Sequence, residues 1–114
     1  MIRHTILFKV RSNVSADTVA DAIDGMRALQ SKLPGIFTII GDECHFHDDK
    51  SIAFFTHDIA HGATHCISID FTDQNALDEF FNNPITHPAK SAIVNITENG
   101  YDGIVGFDLE NPNI

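Results

Sequence analysis

The order in which strand-like and helix-like segments follow one another constrains the fold of this chain most strongly. Residues 2–10 alternate apolar and polar side chains with a period of two, as a half-buried strand does. Residues 15–33 then carry apolar side chains at the spacing of three and four that is typical of an amphipathic helix. Two further strand-like segments span 36–47 and 64–71. The first part of the chain is therefore predicted to be strand, helix, strand and strand.

The remaining segments complete a β-α-β-β-α-β order. Thr72 is the predicted N-cap of a short helix that ends at Pro84, and Pro88 predicts the first turn of another. Residues 101–110 are predicted to form a last strand. This order is that of an α+β, ferredoxin-like fold, in which helices cover one face of an antiparallel sheet.

The other face of this sheet has no helix to cover it. Period two places Leu7 on that face of the first strand, and Cys66 and Ser68 on the same face of the third. We therefore expect this face to pair with a second subunit, which makes the protein a homodimer.

Length and charge limit the classes of partner. The 114 residues suit one domain, which we expect to span 1–110 with a loose tail at 111–114, and 43% hydrophobic residues suffice for a core. The net charge of −9 argues against nucleic acid or an anionic membrane. The chain carries two cysteines, and we identify no signal peptide and no transmembrane run, so we predict a cytoplasmic protein.

A His-rich segment is the place where the sequence would most readily hold a metal ion. His45 and His47 are two residues apart on a predicted strand and therefore share one face. His57, His61 and His65 recur every fourth residue. These three histidines cannot all lie on one helix, because 64–71 is predicted to be a strand. We predict a solvated segment without a metal site. No glycine-rich loop precedes a helix, so we also predict no cofactor.

Two histidines occupy apolar rows of predicted strands. His4 shares its face with Ile6 and Phe8, and His65 shares its face with Ile67. Each is either a hydrogen-bonded core residue or part of a polar spot in a ligand cavity. The cavity interpretation adds His87 as a third histidine and predicts this pocket lining: Ile6, Phe8, Ile67, Phe80, Asn83 and Thr86.

Four stretches follow one another in a distinctive order and spacing: MIRHTILFKV, PGI, THCISIDFTD and ALDEFFNNPITHPAK. In these stretches the chain resembles the stress-responsive dimeric α/β-barrel family, known as Dabb. The resemblance implies that the sheets of two ferredoxin-like subunits pair into a homodimeric barrel. The family includes plant stress proteins and a polyketide cyclase that closes a ring by intramolecular aldol chemistry.

The resemblance to this cyclase implies candidate catalytic residues. The cyclase is similar in having a His on the first strand and another on the third, which match His4 and His65. The Tyr that the cyclase carries on the following helix corresponds to Phe80 in this chain. The HPxH turn of the cyclase falls on 83–86 without a gap, or on 87–90 after a three-residue insertion. The last His of that turn then corresponds to Thr86 or Lys90, with His87 as a neighbouring substitute.

Three functions remain open from the sequence. The first is a homodimer that binds a small organic ligand in a cavity between sheet and helices. The second is a cofactor-independent enzyme of cyclase, isomerase or monooxygenase type that uses His4, His65 and His87. The third is a non-catalytic structural stress protein, which predicts a filled core and both strand histidines bonded to the backbone.

Overall fold

The computed structural model of the protein describes residues 1–44 and 61–110. The predicted order is confirmed, with a third helix before the last strand. The strands and helices are β1 (Ile2–Phe8), α1 (Ala16–Arg27), β2 (Ile36–Glu43), β3 (His65–Phe71), α2 (Gln74–Asn82), α3 (His87–Ile96) and β4 (Val105–Glu110). The His-rich residues 45–60 and the predicted tail 111–114 lie outside the described residues.

The strands form one antiparallel sheet in the order β2-β3-β1-β4, as the ferredoxin-like α+β prediction requires. β1 lies in the middle of the sheet, so its residues 2–7 have neighbours on two sides. His4 stands opposite Ile69 of β3 and Asp108 of β4. This register places His4 and Asp108 side by side on the face that the helices cover.

Local signals set most of the element ends. The side chain of Ser15 accepts a hydrogen bond from the Thr18 backbone N–H and caps the start of α1. The predicted N-cap Thr72 is wrong: the carboxylate of Asp73 accepts from the Ala76 N–H instead. Asp73 has the extended backbone that an N-cap needs.

The first and last strands of the chain are shorter than predicted. β1 ends at Phe8, and Val10 makes only an isolated bridge to Thr97. The last strand begins at Val105, because Gly100–Gly103 forms a 3-10 turn. Asn99 enters that turn with a positive φ of 64°, a conformation that an extended strand cannot accommodate.

The core lies between the sheet and the helices. Phe8, Ile67, Ile69 and Phe71 project from the sheet and are each at most 2% exposed. Buried side chains of the helical layer meet them: Val19, Ala22, Ile23, Met26, Leu77, Phe80, Ala89, Ile93 and Ile96. No helix within the described ranges combines the length and the apolar character needed to cross a bilayer.

The opposite face of the sheet carries a polar cluster around Asp70. Arg3 donates two hydrogen bonds to the Asp70 carboxylate, at 2.8 and 3.0 Å, and Thr38 donates a third at 3.1 Å. Thr5 and Ser68 lie beside them, with their hydroxyl oxygens 2.9 Å apart. The hydrogen bonds from Arg3 are the main reason why the pKa of the Asp70 carboxyl lies below its usual value.

Replacement of Asp70 by Asn is expected to lower stability by roughly 1 kcal/mol at neutral pH, because Arg3 is partly exposed. Because this pKa is lowered, Asp70 makes its full contribution to stability above the pKa that an Asp carboxyl has in the unfolded chain, about 4. This contribution disappears as the pH falls through the folded-state pKa. Urea unfolding at pH 7, 5 and 2.5 would measure this difference.

The exposed Asp21 provides the control, since Asp21→Asn removes a carboxylate from the solvent side of α1. We expect it to change stability little at every pH. An Asp70→Asn deficit as large at pH 2.5 as at pH 7 would show that the ion pair is not the source of the stabilisation.

Candidate active site

A cavity of about 790 Å³ lies between the helix-covered face of the sheet and the helices. Its apolar floor comes mainly from Ile6, Ile67 and Ile69 of the sheet. The helical layer and the segment before β4 supply the other sides: Met26, Phe80, Phe81, Lys90, Ser91, Ile93, Val94, Asn95, Tyr101 and Ile104. The polar groups are few against this apolar lining, as is typical of sites for small organic ligands.

His4 and Asp108 form the most distinctive polar pair of the cavity. The Nδ1 atom of His4 lies 2.6 Å from Oδ1 of Asp108, on the neighbouring strand. The His4 side chain is 14% exposed and that of Asp108 is 45% exposed. An ionised carboxylate can only accept, so Nδ1 carries the proton in this bond. In neutral His4, therefore, Nε2 holds a lone pair, and no residue of 1–44 or 61–110 hydrogen-bonds to it.

Two consecutive phenylalanines of α2 enclose the His4 ring. Its centroid lies 5.2 Å from that of Phe81, edge-on, and 6.2 Å from that of Phe80. Phe80 is 3% exposed, whereas Phe81 is 46% exposed. The two rings therefore limit the positions open to the imidazole and provide an aromatic surface next to it.

Lys90 brings a cation to the same aromatic surface. Its Nζ lies 4.4 Å from the ring centroid of Phe80 and 5.2 Å from that of Phe81. It also donates a hydrogen bond of 2.7 Å to the backbone carbonyl of Phe80. Burial lowers the pKa of the Lys90 ammonium below its usual value. Lys90 thus lines the cavity as a partly desolvated positive charge.

The turn after α2 sets the position of Lys90. Thr86 is fully buried, and its hydroxyl donates to the carbonyls of Phe80, at 3.0 Å, and Asn83, at 2.9 Å. Asn83 in turn caps the turn by accepting from the Ile85 N–H. Asn83 and Thr86, both predicted to line the pocket, are absent from its lining and instead hold the backbone between α2 and α3.

Four of the sequence-predicted residues do line the cavity: His4, Ile6, Ile67 and Phe80. Phe8, predicted to do so as well, is 1% exposed and borders a smaller cavity of about 180 Å³. The larger cavity therefore lies along the middle of β1 rather than at its Phe8 end.

The other two histidines lie elsewhere. His65 stacks on Phe8 with centroids 5.9 Å apart, and its Nδ1 lies 2.8 Å from the Thr64 hydroxyl. His87 is exposed at the start of α3. Neither is among the residues that line the cavity around His4. The structure therefore brings only one of the three candidate catalytic histidines to this site.

The described residues contain no cluster of three His, Cys, Asp or Glu side chains placed to hold a metal ion. Of the His-rich segment, only His61 and His65 fall in the described ranges. His45, His47 and His57 lie outside them, so the prediction for that segment stays a prediction.

The architecture has counterparts in known proteins. A family model for the stress responsive A/B barrel domain, Dabb, matches residues 2–111, which is most of the chain. The chain belongs to the Dabb family. The family prediction from the four sequence stretches is thereby confirmed. No curated protein sequence matches this Dabb chain significantly.

Several solved structures share the fold of this Dabb protein. A dimeric ferredoxin-like protein of unknown function from Jannaschia sp. CCS1 is 24% identical, with a TM-score of 0.78 over 96% of this chain and 98% of that one. A hydroxynitrile lyase from Passiflora edulis is 20% identical, with a TM-score of 0.75 over 99% and 95%. SnoaB, a cofactor-independent oxygenase from Streptomyces nogalater, is 12% identical, with a TM-score of 0.66 over 99% and 94%.

Proposed function

We propose that this Dabb protein is a cytoplasmic homodimer that binds a small, mostly apolar organic molecule in the cavity beside His4. The observation that carries the proposal is the cavity of about 790 Å³, apolar on most sides and with the His4–Asp108 pair in its wall. This volume lies within the usual range for small-ligand sites. A purely structural role predicts a filled interior instead, and the cavity counts against it.

A second candidate, cofactor-independent acid–base catalysis, is favoured by the geometry of His4. Asp108 fixes the imidazole with Nδ1 protonated, so Nε2 is the atom that can take a proton from a bound molecule. The imidazolium that results would be stabilised by the adjacent carboxylate. A suitable reaction is removal of a proton next to a carbonyl group. The hydroxynitrile lyase and the oxygenase show that proteins with this fold include enzymes.

Binding and proton abstraction can be tested with one probe, the apolar ketone 2-tetralone. Calorimetry would measure its binding, and NMR in D₂O would follow exchange of the hydrogens next to its carbonyl. We expect His4→Gln to lower the catalysed exchange by about 10²-fold or more, a usual contribution of a general base. Asp108→Asn should lower the exchange less, because His4 keeps Nε2 as the base and loses only the carboxylate that orients its ring.

The control variant is His61→Gln, which removes an exposed histidine away from this cavity and should leave exchange unchanged. His87→Gln discriminates between the two assignments of the base: a loss there, with His4→Gln active, would support the role implied by the family resemblance. Binding without exchange would favour the ligand-binding function. Absence of both binding and exchange would contradict the proposal for this class of molecule.

A further inference from the structure

We propose that Lys90 makes this cavity selective for apolar molecules that carry one anionic oxygen group, such as a carboxylate. The inference rests on the proposed ligand-binding function and specifies the chemical class of its ligand. It concerns the α3 side of the cavity rather than the His4–Asp108 pair. An apolar acid would place its hydrocarbon part on the isoleucines of the sheet and its charged group at Lys90.

Lys90 has hydrogen-bonding capacity that the described protein does not use. An ammonium group has three N–H donors, and Lys90 uses one of them in its hydrogen bond to the carbonyl of Phe80. No carboxylate within residues 1–44 and 61–110 forms an ion pair with it. The cation therefore lines the cavity with donors left for a bound molecule.

The surroundings of Lys90 make an anion the most suitable partner. Burial disfavours the charged ammonium, as its lowered pKa indicates, and the faces of Phe80 and Phe81 offset only part of that cost. A carboxylate would offset it further through charge-assisted hydrogen bonds, which are stronger than those to neutral acceptors. A neutral amide of the same shape would gain much less.

The acid already present in the cavity does not occupy this position. Asp108 lies on β4 and is bound to Nδ1 of His4 at 2.6 Å. Its charge would repel a second carboxylate near His4, so the anionic group of a ligand is expected on the Lys90 side. The adjoining rings of Phe80 and Phe81 leave a surface for an apolar or aromatic body.

The test uses matched acid and amide probes that differ in charge but little in shape. The pairs are 2-naphthoate with 2-naphthamide, and octanoate with octanamide, titrated into the full chain by calorimetry at pH 7. We expect each acid to bind about ten- to a hundredfold more tightly than its amide, the effect of a hydrogen bond to a charged group. Lys90→Met should remove most of this preference, and Lys90→Arg should restore part of it.

Lys90→Met is expected to fold, because Thr86 also donates to the Phe80 carbonyl that Lys90 would leave. Thermal unfolding of each variant would verify this. Lys32→Met, at an exposed position outside the cavity, controls for the loss of one positive charge. The acid preference should persist in that variant.

The outcomes separate the inference from the proposed function. Equal binding of acid and amide to the wild-type chain, with binding retained in Lys90→Met, would overturn the role of Lys90 while the ligand-binding function stands. An acid preference unchanged in Lys90→Met would also overturn it. Binding of no probe in either pair would count against the proposed function itself.

Discussion

Truncation of Phe71 to Ala is expected to lower the free energy of unfolding by about 3–5 kcal/mol, the usual cost of removing a buried aromatic ring. Phe71 is fully buried on β3, and its ring centroid lies 5.3 Å from that of Phe80. The variant would leave a void between the sheet and α2, where close packing cannot recover without moving both layers. Urea denaturation followed by circular dichroism would measure the loss.

Phe37→Ala is the matched control, because the same atoms are removed from a ring that is 54% exposed on β2. We expect a loss of at most about 1 kcal/mol there. Both variants should be compared with the wild type at one protein concentration, because the stability of an assembling protein depends on its concentration. Similar losses for the two variants would contradict the assignment of Phe71 to the core.

The Phe71→Ala substitution should also affect the cavity, because Phe80 packs against Phe71 and lines the candidate ligand site. Phe80 contacts the Lys90 ammonium as well. The core and the candidate site are therefore continuous, and a substitution in the former is expected to change the position of groups in the latter.

The sequence was sufficient to predict the fold because hydrophobic period and strand register are coupled. Once 64–71 is a strand, Ile67, Ile69 and Phe71 must share a face, and the structure buries all three against the helices. The same alternation places Cys66 and Ser68 on the other face, opposite Leu7 and Thr5 of β1. These relations depend only on local geometry, which a sequence pattern records directly.

The cavity was harder to predict because the face on which a side chain lies and its position along the strand are different properties. His65 lies in the same row as Ile67, yet it pairs with Phe8 near one end of β1 and does not reach the cavity. His4 pairs with Ile69, which lines the cavity. Alternation indicates the face of a side chain but not its distance along the strand from the open space.

Asp108 was missed as a candidate site residue, and Lys90 was predicted only as a possible counterpart of the last His of the HPxH turn, because their positions depend on contacts between different elements. Asp108 meets His4 only through the register between β1 and β4, which are far apart in sequence. Alternation along the last strand places the apolar Val105 and Phe107 in one row and Asp108 in the other, so only the register identifies the face and the partner of Asp108. Lys90 reaches Phe80 because Thr86 and Asn83 build the turn between α2 and α3.

The homodimer expected from the uncovered sheet face agrees with the description of the Jannaschia protein as dimeric. In this chain the face carries exposed apolar side chains on both outer strands. Ile40 of β2 is 64% exposed and Val105 of β4 is 61% exposed. Apolar side chains in such a position are typical of a surface that a partner covers.

The double variant Ile40→Glu with Val105→Glu is expected to convert the proposed homodimer to monomers. Two carboxylates placed without partners in an apolar interface should raise the dimer dissociation constant by more than about 100-fold. Size-exclusion chromatography with light scattering, over a range of protein concentrations, would measure this change.

The matched control is Ala20→Glu with Asn75→Glu, which adds the same charge at exposed positions of α1 and α2. It should leave the wild-type mass unchanged. A wild-type chain that is monomeric at micromolar concentration would contradict the dimer outright. A dimer that persists in the sheet variant would instead place the interface elsewhere, because a surface that tolerates two buried carboxylates is not the one that holds the subunits together.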